Sequence, residues 1–247
     1  MATLSPAVSA QPMTSFVSVL FMHGLESGPG GSKHRWLCSM YGDSNVTCPN
    51  MEMSLYRIDK ANSLVRSALR NALTTAPWNL LPVALETSLD GCVEANRQPL
   101  EALQSKTGPA VLVGSSWGGA VALHAIEQGL WSGPTILMAP AYSRAVRKCY
   151  RSDAAEALLE AKYKAINDRL SDEVKRNCVI LHGTEDTTIP LSDSQELSKA
   201  TGIKLVEIEG GDHRLNDATL FEREQTSGPP HPPLLHEFVL KLTQQST

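Results

Sequence analysis

Short apolar runs rich in Val, Ile and Leu alternate along the chain with longer segments whose apolar residues recur every three or four positions. The runs are residues 15–22 (SFVSVLFM), 46–48, 109–113 (PAVLV), 135–138 (TILM), 178–181 (CVIL) and 204–208 (KLVEI), each stopping close to a Gly or Pro. They read as buried strands. Helical spacing fills residues 89–103, 118–128, 153–170, 192–200 and 233–242, and Ser32 reads as the N-cap of a further helix. A helix between consecutive strands carries the chain back, so that the next strand runs parallel to the last. The pattern therefore predicts an α/β fold, a mostly parallel central sheet with helices on both faces.

Two segments stand apart from this rhythm. Residues 53–87 are longer than a connection requires, with Leu64, Val65, Ala68, Leu69, Ala72 and Leu73 at helical spacing and Pro77-Trp78 closing the pattern. This reads as a lid-like insertion, and its Arg57, Arg66 and Arg70 read as a solvated helix face. The first fifteen residues are Ala-, Ser-, Thr- and Pro-rich without acids or bases, which predicts a disordered tail ahead of one domain over 16–247. That tail lacks the charged start and long apolar run of a secretory signal.

Composition narrows the function classes. With 247 residues, 42% hydrophobic and 19% charged, the chain has ample material for one core. A net charge of -4, with basic residues scattered except around 144–151, argues against a nucleic-acid partner. No stretch reaches the roughly 18 apolar residues of a membrane span. The five cysteines are odd in number and lack any Cys-x-x-Cys or Cys/His ligand spacing. That predicts free thiols, no metal and a reducing, cytoplasmic location. Cys149 beside Arg147, Lys148 and Arg151 reads as an ordinary thiol on a basic face.

The candidate chemistry lies at strand ends. Gly114-Ser-Ser116-Trp-Gly118-Gly119 follows the most apolar strand and opens a helix. A nucleophile on so sharp a turn stands clear of the sheet, and small residues on either side let strand and helix approach. Ser115 is out of register with Gly114 and Gly118, which leaves Ser116. A serine hydroxyl needs a base, and the base needs an acid to orient it. Strand 178–181 runs into His182-Gly-Thr-Glu-Asp186, and strand 204–208 into Glu209-Gly-Gly-Asp-His213. Asp186 is the expected acid, with Glu185 its less favourable neighbour. His213 is the expected base; His231 and His236 share the chain order but sit in a Pro-rich loop and a terminal helix. His124 is expected to pack and His182 to shape its turn. His23-Gly24-Leu25 closes the first strand, where the Leu25 N–H could join the Trp117 N–H as an oxyanion hole.

In these motifs, and in Ile189-Pro190 after the acid, the chain resembles the α/β-hydrolase superfamily from Phe16 to about Leu242. The resemblance implies that fold, a Ser116–His213–Asp186 triad, ester or thioester chemistry, a small-molecule substrate and no cofactor. His23-Gly-Leu-Glu-Ser-Gly-Pro-Gly-Gly-Ser-Lys33 further resembles the opening loop of small esterases with a His-Gly-x-x-Ser-x-Pro…Lys pattern. His23, Gly24 and Ser32 are accordingly expected to border the substrate, and Ser32 and Lys33 to meet an anionic group at a helix start. The same loop is not a nucleotide-binding one, because its serine precedes the lysine. Trp36, Trp78 and Trp131 read as core or turn residues. A carboxylesterase-like serine hydrolase is the expectation, with an acyl-thioesterase on the same triad as its alternative and a non-catalytic binding protein behind both.

Overall fold

The central strands are buried on both faces, and alternate residues along them meet separate layers of helices. The computed structural model describes residues 17–25, 27–51, 81–149, 153–222 and 231–244, with backbone alone for residues 81–88, 148, 149, 153 and 218. The expected tail over residues 1–15 and most of the expected insertion, including Arg57, Arg66, Arg70 and Trp78, lie outside the described residues, as do Arg151 and the Cys149 side chain.

Strands β1 (Ser18–Met22), β2 (Val46–Thr47), β3 (Ala110–Ser115), β4 (Thr135–Met138), β5 (Cys178–Gly183) and β6 (Lys204–Ile208) form, among the described residues, one sheet in the order β2-β1-β3-β4-β5-β6. Every pairing is parallel. The register is continuous: Leu20 pairs with Leu112, Leu112 with Thr135, Thr135 with Cys178 and Val179 with Lys204.

On one face Leu20, Met22, Leu112, Leu137 and Ile180 pack with helices α2 (Leu81–Gln104), α3 (Trp117–Glu127), α4 (Tyr142–Cys149), α5 (Asp153–Arg169) and α7 (Leu191–Thr201). On the other, Val19, Phe21, Val113, Ile136, Met138, Val179 and Leu181 pack with α1 (Ser32–Tyr41) and α9 (Leu234–Gln244), and Leu220 of the short α8 (Asn216–Leu220) joins them. A further short helix, α6 (Asp172–Arg176), is capped by the Ser171 hydroxyl, which accepts from Val174 N–H at 3.2 Å. No helix among the described residues is long and apolar enough to cross a membrane.

The elements differ from the expected ones in several places, and the short helices α6 and α8 were among those not expected. Helix α2 begins at Leu81, so the end of the supposed insertion belongs to the long helix expected only from residue 89. Helix α4 was not anticipated. The N-cap of α1 is Gly31 rather than Ser32, which is its exposed first residue.

The order of the strands fixes where a ligand can sit. The chain crosses from β1 outward to β2 and then returns to place β3 on the other side of β1. At such a switch point the loops after the two central strands diverge and open a crevice at their carboxyl ends. The loops there are His23-Gly24-Leu25 after β1 and Ser116 after β3.

Candidate active site

Ser116 sits between β3 and α3 with φ 54° and ψ -114°, a conformation that residues with a Cβ avoid. Such a backbone typically costs about 1–3 kcal/mol and persists only where its surroundings hold it. Here its N–H donates to Met138 O at 2.8 Å, and its carbonyl accepts from Ala120 N at 3.1 Å and Ala141 N at 3.0 Å. The close approach also needs Gly118, where any Cβ would collide with the Met22 carbonyl oxygen at the end of β1. The strained turn is thus clamped between the neighbouring strand and its own helix.

The loops after β5 and β6 bring two further groups to this hydroxyl. His213 Nε2 lies 3.0 Å from Ser116 Oγ, and His213 Nδ1 lies 2.7 Å from Asp186 Oδ2. Residues 97 and 27 positions apart in sequence meet in one line. The Asp186 side chain is fully buried and that of His213 is 22% exposed, so the line runs from the interior toward solvent. Burial alone would raise the Asp186 pKa, yet hydrogen bonds from His182, His213 and the Ile189 and Thr188 N–H groups hold it well below the usual carboxylate range. The loops can come this close because β5 ends in glycine: a Cβ at Gly183 would collide with the Gly211 carbonyl oxygen, two residues before His213.

Support comes from side chains whose partners are far away in sequence. Lys33, in the first turn of α1, donates to Arg214 O at 2.6 Å and to Asn216 Oδ1 at 3.1 Å. Desolvation pushes its ammonium down to about 8, opposed by Asp212. Lys33 therefore ties the start of α1 to the segment flanking His213. His182 is fully buried, with Nε2 3.3 Å from Asp186 Oδ2 and 3.1 Å from Ile189 O, and Nδ1 2.7 Å from Ser194 Oγ.

The loop after β1 borders the hydroxyl. A Cβ at Gly24 would lie 3.4 Å from Ser116 Cβ and 3.9 Å from Ser116 Oγ, so the backbone before Leu25 runs directly beside the nucleophile position. Among the described residues neither the Leu25 nor the Trp117 N–H donates to a backbone carbonyl, and Trp117 opens α3, where N–H groups lack helical partners. His23 is buried, with Nδ1 2.9 Å from Gly24 O, no partner for Nε2 among the described residues, and its pKa lowered by desolvation.

The rejected alternatives sit elsewhere. Glu185 and His231 are exposed. His236 Nδ1 lies 2.8 Å from the Tyr41 hydroxyl, in the helix layer on the α1 side of the sheet. His124 lies between Asp90 Oδ1 at 2.8 Å and Glu127 Oε2 at 2.9 Å, away from Ser116 on the far turns of α3. Sequence reasoning missed Lys33 as a tether and Ser194 altogether, and the latter carries no motif of its own. For His182 a signal existed, since a histidine ending a buried strand four residues before the acid is placed to touch it.

No family model and no curated protein matches the chain. Its shape does match solved structures. A proposed hydrolase of the α/β superfamily from Xanthomonas campestris pv. campestris is 17% identical, with 94% of this chain and 99% of that one covered and a TM-score of 0.52. The ydeN gene product from B. subtilis is 16% identical over 94% of this chain and 100% of its own, with a TM-score of 0.53. TT1662 from Thermus thermophilus is 16% identical over 95% and 90%, with a TM-score of 0.55. With the parallel sheet and its switch-point crevice, this likeness shows that the chain has the α/β-hydrolase fold.

Proposed function

We propose that the protein is a serine hydrolase that cleaves carboxylic esters of small molecules through an acyl-enzyme on Ser116. One observation carries the reading: a hydroxyl on a strained turn, an imidazole 3.0 Å from it, and a buried carboxylate 2.7 Å behind that imidazole. Buried carboxylates and histidines often pair for stability alone. A positive-φ serine at the mouth of the switch-point crevice has no such structural use, and its cost argues for chemistry.

In this reading Ser116 Oγ attacks the acyl carbonyl carbon as its proton passes to His213 Nε2. The Leu25 and Trp117 N–H groups bind the oxyanion, and removal of one such donor typically costs about 2.7–4 kcal/mol in the transition state. His213 then returns the proton to the departing alkoxide, which leaves as the alcohol. Water, deprotonated by His213, attacks the acyl-enzyme; the acid departs and the serine recovers its proton. Asp186 stays ionised throughout and holds the Nδ1–H. Its depressed pKa supports that role, because a neutral carboxyl would neither orient nor stabilise an imidazolium.

The test is covalent. Purified protein is treated with a fluorophosphonate probe and the modified residue is mapped, with Ser116→Ala as control. Labelling at Ser116 that disappears in the variant supports the reading, and a panel of esters and thioesters of increasing acyl length then defines the substrate. Folded protein that stays unlabelled overturns it.

A further inference from the structure

Asp186 is held by more than its histidine base. Oδ1 accepts from Thr188 N–H at 2.7 Å and Ile189 N–H at 2.9 Å. Oδ2 accepts from His213 Nδ1 at 2.7 Å and faces His182 Nε2 at 3.3 Å. Each carboxylate oxygen thus has two donors directed at it, which fills the acceptor positions an ionised carboxylate offers. Three of these donors follow from the loop and the triad; the fourth comes from a residue with no part in the proton transfers.

The hydrogen bonds around His182 fix where its proton lies. Nε2 faces two acceptors, the Ile189 carbonyl and the Asp186 carboxylate, so Nε2 carries the proton and shares it between them. Nδ1 faces only the Ser194 hydroxyl at 2.7 Å, so that O–H donates to the bare nitrogen. Both side chains are completely buried, and water cannot replace either partner without opening the core. Ser194 is itself seated in the first turn of α7, where neighbouring Asp193 accepts from Arg147 Nη1 of α4 at 2.8 Å.

We propose that His182 and Ser194 are positioning residues: the Ser194 hydroxyl orients the His182 imidazole, whose Nε2–H fixes the oxygen that Asp186 presents to His213. The inference rests on the serine-hydrolase reading for its effect on rate. Its physical basis is the behaviour of the base during turnover. His213 exchanges its Nε2 proton with the serine, the leaving group and water in turn, so the charge of its ring, and with it the strength of its Nδ1–H hold on Oδ2, changes at each step. A buried partner that takes no part in the exchange keeps the carboxylate aligned meanwhile. The donor is shared and its branch to Asp186 is the longer one, so the contribution is that of a modest hydrogen bond.

The experiment reads the His213–Asp186 hydrogen bond directly, as the low-field Nδ1–H proton resonance of the full-length protein at pH 8. In His182→Leu, Oδ2 is left to His213 alone and the resonance moves further downfield. His182→Gln, which returns an N–H near the position of Nε2, brings it back toward the wild-type value. Ser194→Ala keeps His182 but frees its ring, and moves the resonance the same way by less, which covers the case in which His182→Leu does not fold. The same variants lower kcat by about fivefold for His182→Leu, with KM unchanged and the Gln variant recovering most of the loss. A resonance that stays put in both His182→Leu and Ser194→Ala, or a fall in kcat that His182→Gln does not recover, overturns the proposal. Fluorophosphonate labelling of wild-type Ser116 judges the hydrolase reading separately, since the resonance reports on the positioning arm whether or not ester is turned over.

Discussion

His213 and His124 are both held at both ring nitrogens, and the difference between their partners separates the proposed chemistry from support. His213 has a carboxylate on Nδ1 and a hydroxyl on Nε2. His124 has carboxylates on both sides, Glu127 and Asp90, and its side chain is 8% exposed. Burial works against the charged imidazole of His124, but its hydrogen bonds to Glu127 and Asp90 outweigh that and raise its pKa. Two flanking carboxylates favour the cationic form of the ring, in which neither nitrogen has a lone pair to offer, and the ring joins α3 to α2. Glu127 extends the cluster to Tyr142 of α4 at 2.6 Å and Lys162 of α5 at 3.0 Å. In the proposed mechanism one histidine moves a proton, while the partners of the other favour keeping one.

The largest expected effect breaks the first region and spares the second. We predict that Asp186→Asn lowers kcat by about 10⁴, as loss of the orienting carboxylate does in other triads. The same change at Asp90 should leave the Ser116 labelling rate within about twofold; an equal loss at both sites would erase the distinction drawn above.

Stability should show the reverse pattern. Burial raises the Glu127 carboxyl, but His124, Tyr142 and Lys162 together bring it down to about 2. A depressed carboxylate contributes stability that is present above its unfolded pKa and lost as pH falls through its folded one. The raised His124 contributes below its own unfolded value, near 6.5, and loses that contribution as pH rises through its folded value. The cluster should therefore help most between about pH 4.5 and 6.5, the interval bounded by the two unfolded values. Glu127→Gln should cost on the order of 2–3 kcal/mol at pH 7 and flatten the acid side of the profile, measured by denaturant unfolding from pH 3 to 8. A profile that stays parallel to wild type would show the cluster to be decorative.

A smaller effect is expected at Lys33, which belongs to neither group of partners yet holds the base loop. Lys33→Met should slow Ser116 labelling about tenfold, the loss of charge-assisted hydrogen bonds that order His213, while Lys33→Arg recovers part of the rate. Folding moves the Lys33 ammonium from 10.5 to about 8, so the unfolded chain binds more protons between those values. Wild-type stability should then gain on Lys33→Met as pH rises through that window. A constant difference would mean that the ammonium is not desolvated.

The smallest effect concerns the strained turn itself. Glycine tolerates φ 54° without penalty, so Ser116→Gly should abolish labelling and raise stability by about 1 kcal/mol. A variant no more stable than wild type would indicate that the turn stores little strain.

What the sequence disclosed follows from how local each signal is. Strand β4 matches its expected bounds because an uninterrupted apolar run must be buried; β6 also matches, although it was expected to be buried and is a half-exposed edge strand. The positions of Ser116, Asp186 and His213 followed from strand ends, since a short motif and its strand are contiguous. Helix α4 was hidden by charge: Arg144, Arg147 and Lys148 read as a basic surface, although Tyr142, Ala145 and Val146 are buried on its other side. Lys33 could not be read as a tether because its partners stand 181 and 183 residues away and include a backbone carbonyl, which leaves no trace in composition. Ser194 was invisible for the same reason; only its distance to His182 distinguishes it from any serine on a helix.

The contact between Gly183 and the Gly211 carbonyl has an evolutionary consequence. The spacing of acid and base depends on an atom that is missing, so one methyl group at residue 183 would separate the two loops while every reactive side chain remained in place. A descendant that had undergone Gly183→Ala would keep the proposed triad in its sequence and lose its geometry. Inactive relatives of such a protein are therefore to be sought by their residue at this strand end, where a search for lost serines or histidines would pass them over.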